Sequence, residues 1–387
     1  MSSVVKQEKS SNEFERYQLG EVVLASSIDP TSYGFERDDS PRSIYEVIVR
    51  DPYVEMFSDA ESEKVRLIER YMSDFAKSRR EQGLWQRKPG TAYTNTDDLE
   101  IVKKSWQWGD PVSTDLFFNR TLKSPGIDAW RTKIPSARAL ADLSDPFSAE
   151  YIFDRKGREV KVDEDARVWL TLCTDARAIR SRATVMAESV KAFIEENGSD
   201  TQNDFAWMSV ACGTALPAMK AAIHSGISPS MLLVDFDKSA LQSTSELASE
   251  IGFSGALSQR SDINIFDKDA MLNLKKDLAD KNQLPHLIDL MGIFEYTGNN
   301  LGVDPVEFLS SVYDILRPGG RLIFGQMRND RPVQDFTMGV VGWPYVELRS
   351  PKEFMDIIAA ASIPSKNTQL YLPDDGVYTV GVIDKPR

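Results

Sequence analysis

One stretch of the sequence, residues 205–217, limits what this chain can fold into. It opens with an apolar run of strand length, residues 205–210, and continues through the small residues Ala211, Cys212, Gly213, Thr214 and Ala215. Pro217 then suits the first turn of a helix, where a backbone N–H would have no partner in any case. A strand, a small-residue turn and a helix start in this order let the backbone approach a ligand closely.

An acidic residue stands where the next strand is predicted to end. Asp235 lies twenty-two positions after Gly213 and directly follows the apolar run 231–234. A carboxylate at the end of a second strand can accept hydrogen bonds from both hydroxyls of a ribose. Together with the small-residue turn, this spacing predicts a site for an adenosine-type ligand.

The turn, which reads Val-Ala-Cys-Gly-Thr-Ala from Val210, resembles the first motif of class I S-adenosylmethionine-dependent methyltransferases. That motif usually reads small-x-Gly-x-Gly after a strand. Here Ala211 and Ala215 replace the first and last glycines, and Ser209 stands where an acid is often found. Alanine still permits close approach of a ligand, but it adopts a positive φ only at a cost in energy.

The order of segments after residue 203 agrees with this resemblance. Strand and helix patterns alternate there, which predicts a parallel sheet with helices on both faces. Residues 316–324, Leu-Arg-Pro-Gly-Gly and an apolar run, are similar to the lead-in to the fifth strand of these enzymes. Residues 369–372 and 377–383 resemble a closing antiparallel hairpin. The resemblance therefore implies a seven-stranded, mostly parallel, doubly wound α/β sheet of the class I methyltransferase type.

The first part of the chain has no such order. Residues 43–49 and 64–75 carry apolar side chains at helical spacing, and residues 151–162 read as two short strands. Pro, Gly and aromatic residues recur irregularly over residues 83–138. We predict a mainly helical and irregular N-terminal region over residues 1–165, a connecting helix within 166–198, and a methyltransferase domain over 199–387.

The resemblance also implies which residues contact S-adenosylmethionine. Asp235 would bind the ribose, Asp262 or its competitor Asp267 the adenine amine, and Ile263 would flank the ring. Arg180 or Arg182 of the connecting helix either pairs with the methionine carboxylate or belongs to a solvated basic face. The predicted cofactor-binding residues are Ala211, Cys212, Gly213, Thr214, Ala215, Asp235, Phe236, Asp262, Ile263, Met291, Gly292 and Arg180.

Methyl transfer from a sulfonium mainly requires alignment of the nucleophile, the methyl carbon and the sulfur. A base is needed only where the accepting oxygen or nitrogen must lose a proton. Residues 287–294 are the predicted fourth strand of the sheet. Glu295, which follows this strand, is the predicted catalytic candidate with Tyr296 and Tyr345, although Glu295 can also bind the cofactor or cap a helix. His286 precedes that strand and is expected to be structural.

The composition disfavours several other classes of protein. A net charge of −13 opposes a polyanionic partner such as nucleic acid. Two cysteines and two histidines disfavour a metal site. The apolar runs fall short of the roughly 18–20 residues that span a membrane, and the N-terminus lacks the apolar core of a secretory signal. We expect a cytoplasmic protein without a metal.

The predicted function is transfer of a methyl group to an O or N atom, or a C atom, of a small organic acceptor. The aromatics of residues 83–138, with Trp343 and Tyr345, either wall the acceptor site or anchor an irregular segment. Two other hypotheses stay open. One is a nicotinamide-dependent oxidoreductase, because an acid after the second strand can also bind the ribose of a nicotinamide cofactor. The other is a non-catalytic S-adenosylmethionine-binding protein. The oligomeric state is open, with a homodimer among the alternatives.

Overall fold

The computed structural model describes residues 17–36, 40–82, 151–153, 159–161, 168, 171–197, 205–299, 301–341 and 346–387. The chain divides into two compact units. The first comprises Met1–Gln18, Asp51–Arg177 and Pro332–Tyr345, and the second comprises Leu19–Arg50, Ala178–Arg331 and Val346–Arg387. Residues 19–50 join the sheet of the second unit, and the predicted boundaries at 165 and 198 stay a prediction.

The strands and helices of the described residues are numbered in chain order. The strands are β1 (Glu21–Ile28), β2 (Ser43–Arg50), β3 (Tyr151–Phe153), β4 (Glu159–Lys161), β5 (Ala206–Val210), β6 (Ser230–Val234), β7 (Ala256–Arg260), β8 (Leu287–Leu290), β9 (Arg321–Met327), β10 (Thr368–Pro373) and β11 (Tyr378–Asp384). The helices are α1 (Asp59–Glu81), α2 (Thr174–Asn197), α3 (Leu216–His224), α4 (Lys238–Glu250), α5 (Lys268–Asp280), α6 (Pro305–Ile315) and α7 (Pro351–Ala360). Within the described ranges, every helix is too short or too polar to span a membrane.

In the first unit, α1 confirms the helix predicted for residues 64–75. A capping box starts it: the Ser58 hydroxyl accepts the Glu61 N–H, and the Glu61 carboxylate accepts the Ser58 N–H. Val65, Ile68 and Met72 of the predicted apolar face are buried. Strands β3 and β4 pair antiparallel, which confirms the two short strands predicted in residues 151–162.

The second unit is built on one sheet of order β1-β2-β10-β11-β9-β8-β5-β6-β7. Strands β5 to β9 run parallel to one another. Strand β11 runs antiparallel to both β9 and β10, which confirms the predicted closing hairpin. The prediction of seven strands was wrong, because β1 and β2 extend the sheet to nine.

The two additional strands also overturn the helical prediction for residues 43–49. Strand β2 pairs in parallel with β10 and antiparallel with β1. Ile44, Val47 and Val49 of β2 are buried. Their spacing is compatible with a helix, but β-branched side chains also pack well on a pleated surface, and the open edge of β10 provides the backbone partners. The sheet edge therefore decides the conformation of this segment.

Alternation along the strands separates the two faces of the sheet. Met208 and Val210 of β5 and Ile288 of β8 belong to an apolar core that also contains buried side chains of α5, α6 and α7. Trp207, Ser209 and Asp289 occupy the intervening positions, so they lie on the opposite face. The candidate site is built at the carboxyl ends of these strands.

Candidate functional site

The turn after β5 has an unusual backbone. Ala211, Gly213 and Ala215 all have positive φ, at 49°, 55° and 54°. The Ala215 N–H donates to the Cys212 carbonyl at 2.8 Å, and α3 begins with Pro217 in its first turn. Two alanines thus hold a left-handed conformation that favours glycine, which gives a physical reason for the glycines of the motif that this turn resembles.

We predict that Ala211→Gly and Ala215→Gly each raise the free energy of unfolding, by up to about 1 kcal/mol. Relief of left-handed strain exceeds the entropy that glycine adds to the unfolded chain. Chemical denaturation measures the change. Ala218→Gly is the matched control, since Ala218 is a helical residue of α3. This variant should have a free energy of unfolding about 1 kcal/mol below that of the wild type. A loss of stability in all three variants would contradict the assignment of strain.

The Asp235 carboxylate is joined to this turn. Its Oδ2 accepts a hydrogen bond from the Gly213 N–H at 2.7 Å, and its Oδ1 accepts one from the Asp237 N–H at 2.8 Å. Asp237 points elsewhere, because its side chain caps the N-terminus of α4. Phe236, between the two acids, is 76% exposed. An acid and an exposed aromatic ring therefore stand beside the turn at one edge of the sheet.

The residues predicted to meet the adenine already have partners within the protein. Arg260 binds both carboxylate oxygens of Asp262 at 2.8 Å, and these hydrogen bonds lower the pKa of Asp262 to about 2. Ile263 is buried in the apolar core. The competitor Asp267 caps α5 by accepting the N–H groups of Asp269 and Ala270. The adenine contact of Asp262 stays a prediction.

A buried ion pair follows β8. The Arg182 guanidinium lies over the Tyr378 ring, 4.5 Å from its centroid, and its Nη1 is 3.4 Å from Glu295 Oε1. A Cβ at Gly292 would lie 3.1 Å from Arg182 Nη2, so the guanidinium also borders the end of β8. Arg180 is two residues earlier on α2 and points about 200° away. Arg182, the alternative named from the sequence, therefore occupies this position.

Glu295 is 2% exposed, and among the described residues its Oε2 has no hydrogen-bond partner. Burial raises the pKa of this carboxyl, and the Arg182 charge opposes the rise. Tyr296 follows it in a single helical turn, Phe294–Tyr296. Tyr345 and Trp343 lie outside the described residues, as do residues 83–150.

Three other residues predicted to bind the cofactor are Cys212, Thr214 and Met291. Thr214 and Met291 are buried. Burial raises the pKa of the Cys212 thiol well above its usual value, and the charges of Asp235 and Asp289 add to the rise.

The His286 Nδ1 accepts the Ala206 N–H at 3.1 Å, before the start of β8, as expected for a structural histidine. In the described part of the chain, no group of three or more Cys, His, Asp and Glu side chains could hold a metal ion.

Asp289 is a residue that the sequence analysis missed. It is 4% exposed, and its carboxylate accepts hydrogen bonds from Trp207 Nε1 at 2.7 Å and Ser209 Oγ at 3.0 Å. Burial raises its pKa to about 7, against these two hydrogen bonds. Its Cα is paired with that of Ser209 in the sheet. The signal was a lone acid in the apolar strand β8, beside a strand that lacks the usual acid.

We predict that Asp289 makes stability depend on pH. A carboxyl whose folded pKa lies above its unfolded value stabilises the fold below pH 4, and this stabilisation is lost as the pH rises through about 7. Between pH 4 and pH 8, the free energy of unfolding of the wild type should fall by on the order of 2–4 kcal/mol relative to that of Asp289→Asn. Denaturation curves at several pH values measure this difference. Parallel stability profiles for the two proteins would contradict it.

Comparison with known proteins shows a likeness of fold. No protein-family model and no curated protein matches this sequence. A possible exported protein from Bordetella parapertussis is 13% identical, with a TM-score of 0.50 over 87% of this chain and 99% of that one. At this identity the likeness concerns the fold alone.

Other similar structures carry methyltransferase names. An O-methyltransferase family protein from Burkholderia thailandensis is 14% identical, with a TM-score of 0.37 over 56% of this chain and 60% of that one. The magnesium protoporphyrin IX methyltransferase from Synechocystis PCC 6803, solved with bound SAH, is 10% identical, with a TM-score of 0.38 over 55% and 87% of the two chains. The chain thus spans about three fifths of the Burkholderia protein. Many of the solved structures similar to this chain are S-adenosylmethionine-dependent methyltransferases, the family that its sequence resembles.

Proposed function

We propose that this protein transfers the methyl group of S-adenosylmethionine to an O or N atom, or a C atom, of a small organic acceptor. The hydrogen bond from the Gly213 N–H to the Asp235 carboxylate carries the proposal. It joins the acid after β6 to the small-residue turn after β5. The carboxyl ends of these adjacent parallel strands therefore present a carboxylate and a turn whose backbone a ligand can approach closely. This arrangement suits the ribose and adjoining groups of an adenosine ligand.

The residues of the site fit the cofactor. A carboxylate has about four acceptor positions, so Asp235 can accept ribose hydroxyls in addition to backbone N–H groups. The exposed Phe236 ring offers an apolar surface to the adenine. Arg182, beside Gly292, provides a guanidinium for the methionine carboxylate. When bound, the cofactor supplies a methyl group made electrophilic by the adjacent sulfonium.

Glu295 is the group that we assign to the acceptor. Its buried Oε2 lacks a partner among the described residues, so a hydroxyl or N–H of the acceptor would satisfy it. Its raised pKa makes it a stronger base than an exposed carboxylate. Arg182 holds Oε1 and thereby orients Oε2. Acceptance of the proton by Glu295 would leave the acceptor atom free to attack the methyl carbon.

The class of acceptor follows from charge. A net charge of −13 repels polyanions, so we propose a small organic molecule rather than nucleic acid or a membrane surface. We keep the cytoplasm as the proposed compartment. Methyl transfer from labelled cofactor should be screened against RNA, DNA, protein and a small-molecule extract. Label in the macromolecules with none in the small-molecule fraction would overturn this assignment.

We predict that Asp235→Ala weakens S-adenosylmethionine binding by roughly 10- to 150-fold. Loss of a charge-assisted hydrogen bond is worth about 1.5–3 kcal/mol. Calorimetric titration measures the affinity. Asp237→Ala is the matched control: it removes a helix cap and about 1 kcal/mol of stability, but it should bind the cofactor as the wild type does. Greater weakening in Asp237→Ala would refute the ribose assignment, and binding of NAD in place of the cofactor would favour an oxidoreductase.

A further inference from the structure

Asp289 is a buried carboxylate with no cationic partner in the described part of the chain. Its two hydrogen bonds come from neutral groups, the Trp207 indole and the Ser209 hydroxyl. The buried carboxylate of Glu295, in contrast, is paired with Arg182. An ionised group without a countercharge is expensive to bury. A positively charged group beside Asp289 would therefore stabilise its ionised carboxylate.

The surroundings of Asp289 place this site under the small-residue turn. Ser209, its partner on β5, lies two residues before Ala211, and Ile323, its partner on β9, is apolar. Burial raises the pKa of the Cys212 thiol in this turn, and the negative charges of Asp235 and Asp289 raise it further. The Trp207 indole, the Ser209 hydroxyl and the Ile323 side chain are neutral, and the thiol, with its raised pKa, is also neutral near pH 7. A cationic ligand bound at the turn would bring such a charge to Asp289.

We propose that Asp289 supplies the negative charge that attracts a cationic group of the bound cofactor, either its sulfonium or its ammonium. This inference rests on the proposed function. Across a buried site, opposite charges a few ångströms apart attract strongly because the local dielectric constant is low. The carboxylate would favour S-adenosylmethionine over neutral adenosine compounds, and Trp207 and Ser209 would be positioning residues that hold it toward the turn.

The test compares three adenosine ligands by calorimetry at pH 8, with the full chain and Asp289→Asn. S-adenosylmethionine carries both cations, S-adenosylhomocysteine only the ammonium, and methylthioadenosine neither. We expect Asp289→Asn to weaken the binding of S-adenosylmethionine roughly 10- to 100-fold and to leave the affinity for methylthioadenosine unchanged. A parallel loss for S-adenosylhomocysteine identifies the ammonium, and no loss for it identifies the sulfonium.

A second variant keeps the proposal testable if Asp289→Asn does not fold. The exchange Ser209→Asp with Asp289→Ser moves the carboxylate across a paired position of the sheet, and it should retain the preference for S-adenosylmethionine over methylthioadenosine. Loss of that preference in the folded exchange variant, or equal weakening of all three ligands in Asp289→Asn, overturns the proposal. If Asp289→Asn binds S-adenosylmethionine as the wild type does, this inference alone fails. If the wild type binds no adenosine ligand, the proposed function fails.

Discussion

Substitution of Gly213 by valine should abolish S-adenosylmethionine binding, with a loss of roughly 1,000-fold or more. Gly213 has a φ of 55° and donates its N–H to Asp235. A branched side chain would strain the left-handed backbone and occupy space that the proposed site leaves for the ligand. The Gly213→Val protein should remain folded, because the turn is a short connection between β5 and α3 that lies outside the strands of the sheet.

Gly226→Val is the matched control for this experiment. Gly226 also has a positive φ, 66°, and a Cβ there would meet no atom within 4 Å. Both variants therefore introduce the same side chain at a left-handed residue, but only Gly213 belongs to the turn. Calorimetry on the two folded proteins compares them. Normal affinity in Gly213→Val, or an equal loss in Gly226→Val, would show that the turn is not the binding site.

Glu295→Gln should lower the rate of methyl transfer by roughly 100-fold or more, while the affinity for S-adenosylmethionine stays near that of the wild type. A positioned general base contributes about 100- to 10,000-fold, and the amide cannot accept the proton. Single-turnover transfer to an acceptor found in the labelling screen measures the rate, and calorimetry measures the affinity. A wild-type rate in this variant would exclude Glu295 as the base.

The pH dependence of transfer provides an independent check. Glu295 acts only when ionised, so the wild-type rate should rise with pH through its raised pKa, and this rise should be absent in Glu295→Gln. The Arg182 charge lowers the pKa of Glu295. Arg182→Met should therefore move the rising part of the profile to higher pH. An unchanged profile in Arg182→Met would indicate that the pair does not act together.

The strand, turn and helix around Gly213 could be predicted from sequence because their signals are local. Apolar residues 205–210, the small residues of the turn and Pro217 each restrict the backbone where they stand. The alternation after residue 203 likewise predicted the order of β5 to β11. The position of Asp235 beside the turn followed from parallel strands whose carboxyl ends share one edge.

The contacts between distant segments could not be predicted from such signals. Residues 43–49 fit a helical spacing, and only the free edge of β10, more than three hundred residues away, makes them a strand. Arg180 and Arg182 are both arginines near the start of α2, so the sequence does not distinguish them. The orientation of α2 beside β8 decides which guanidinium contacts Glu295.

The sequence by itself determined the parallel core, the turn and the acid that faces it, because residues close along the chain specify them. Only the tertiary structure placed the carboxylate of Asp289 beside Ser209, across two strands that are eighty residues apart. Pairing of strands sets which side chains meet, and it depends on backbone hydrogen bonds that every residue type can form. The partners of the lone acid in β8 therefore depend on the pairing of β5 with β8, which the sequence alone does not specify.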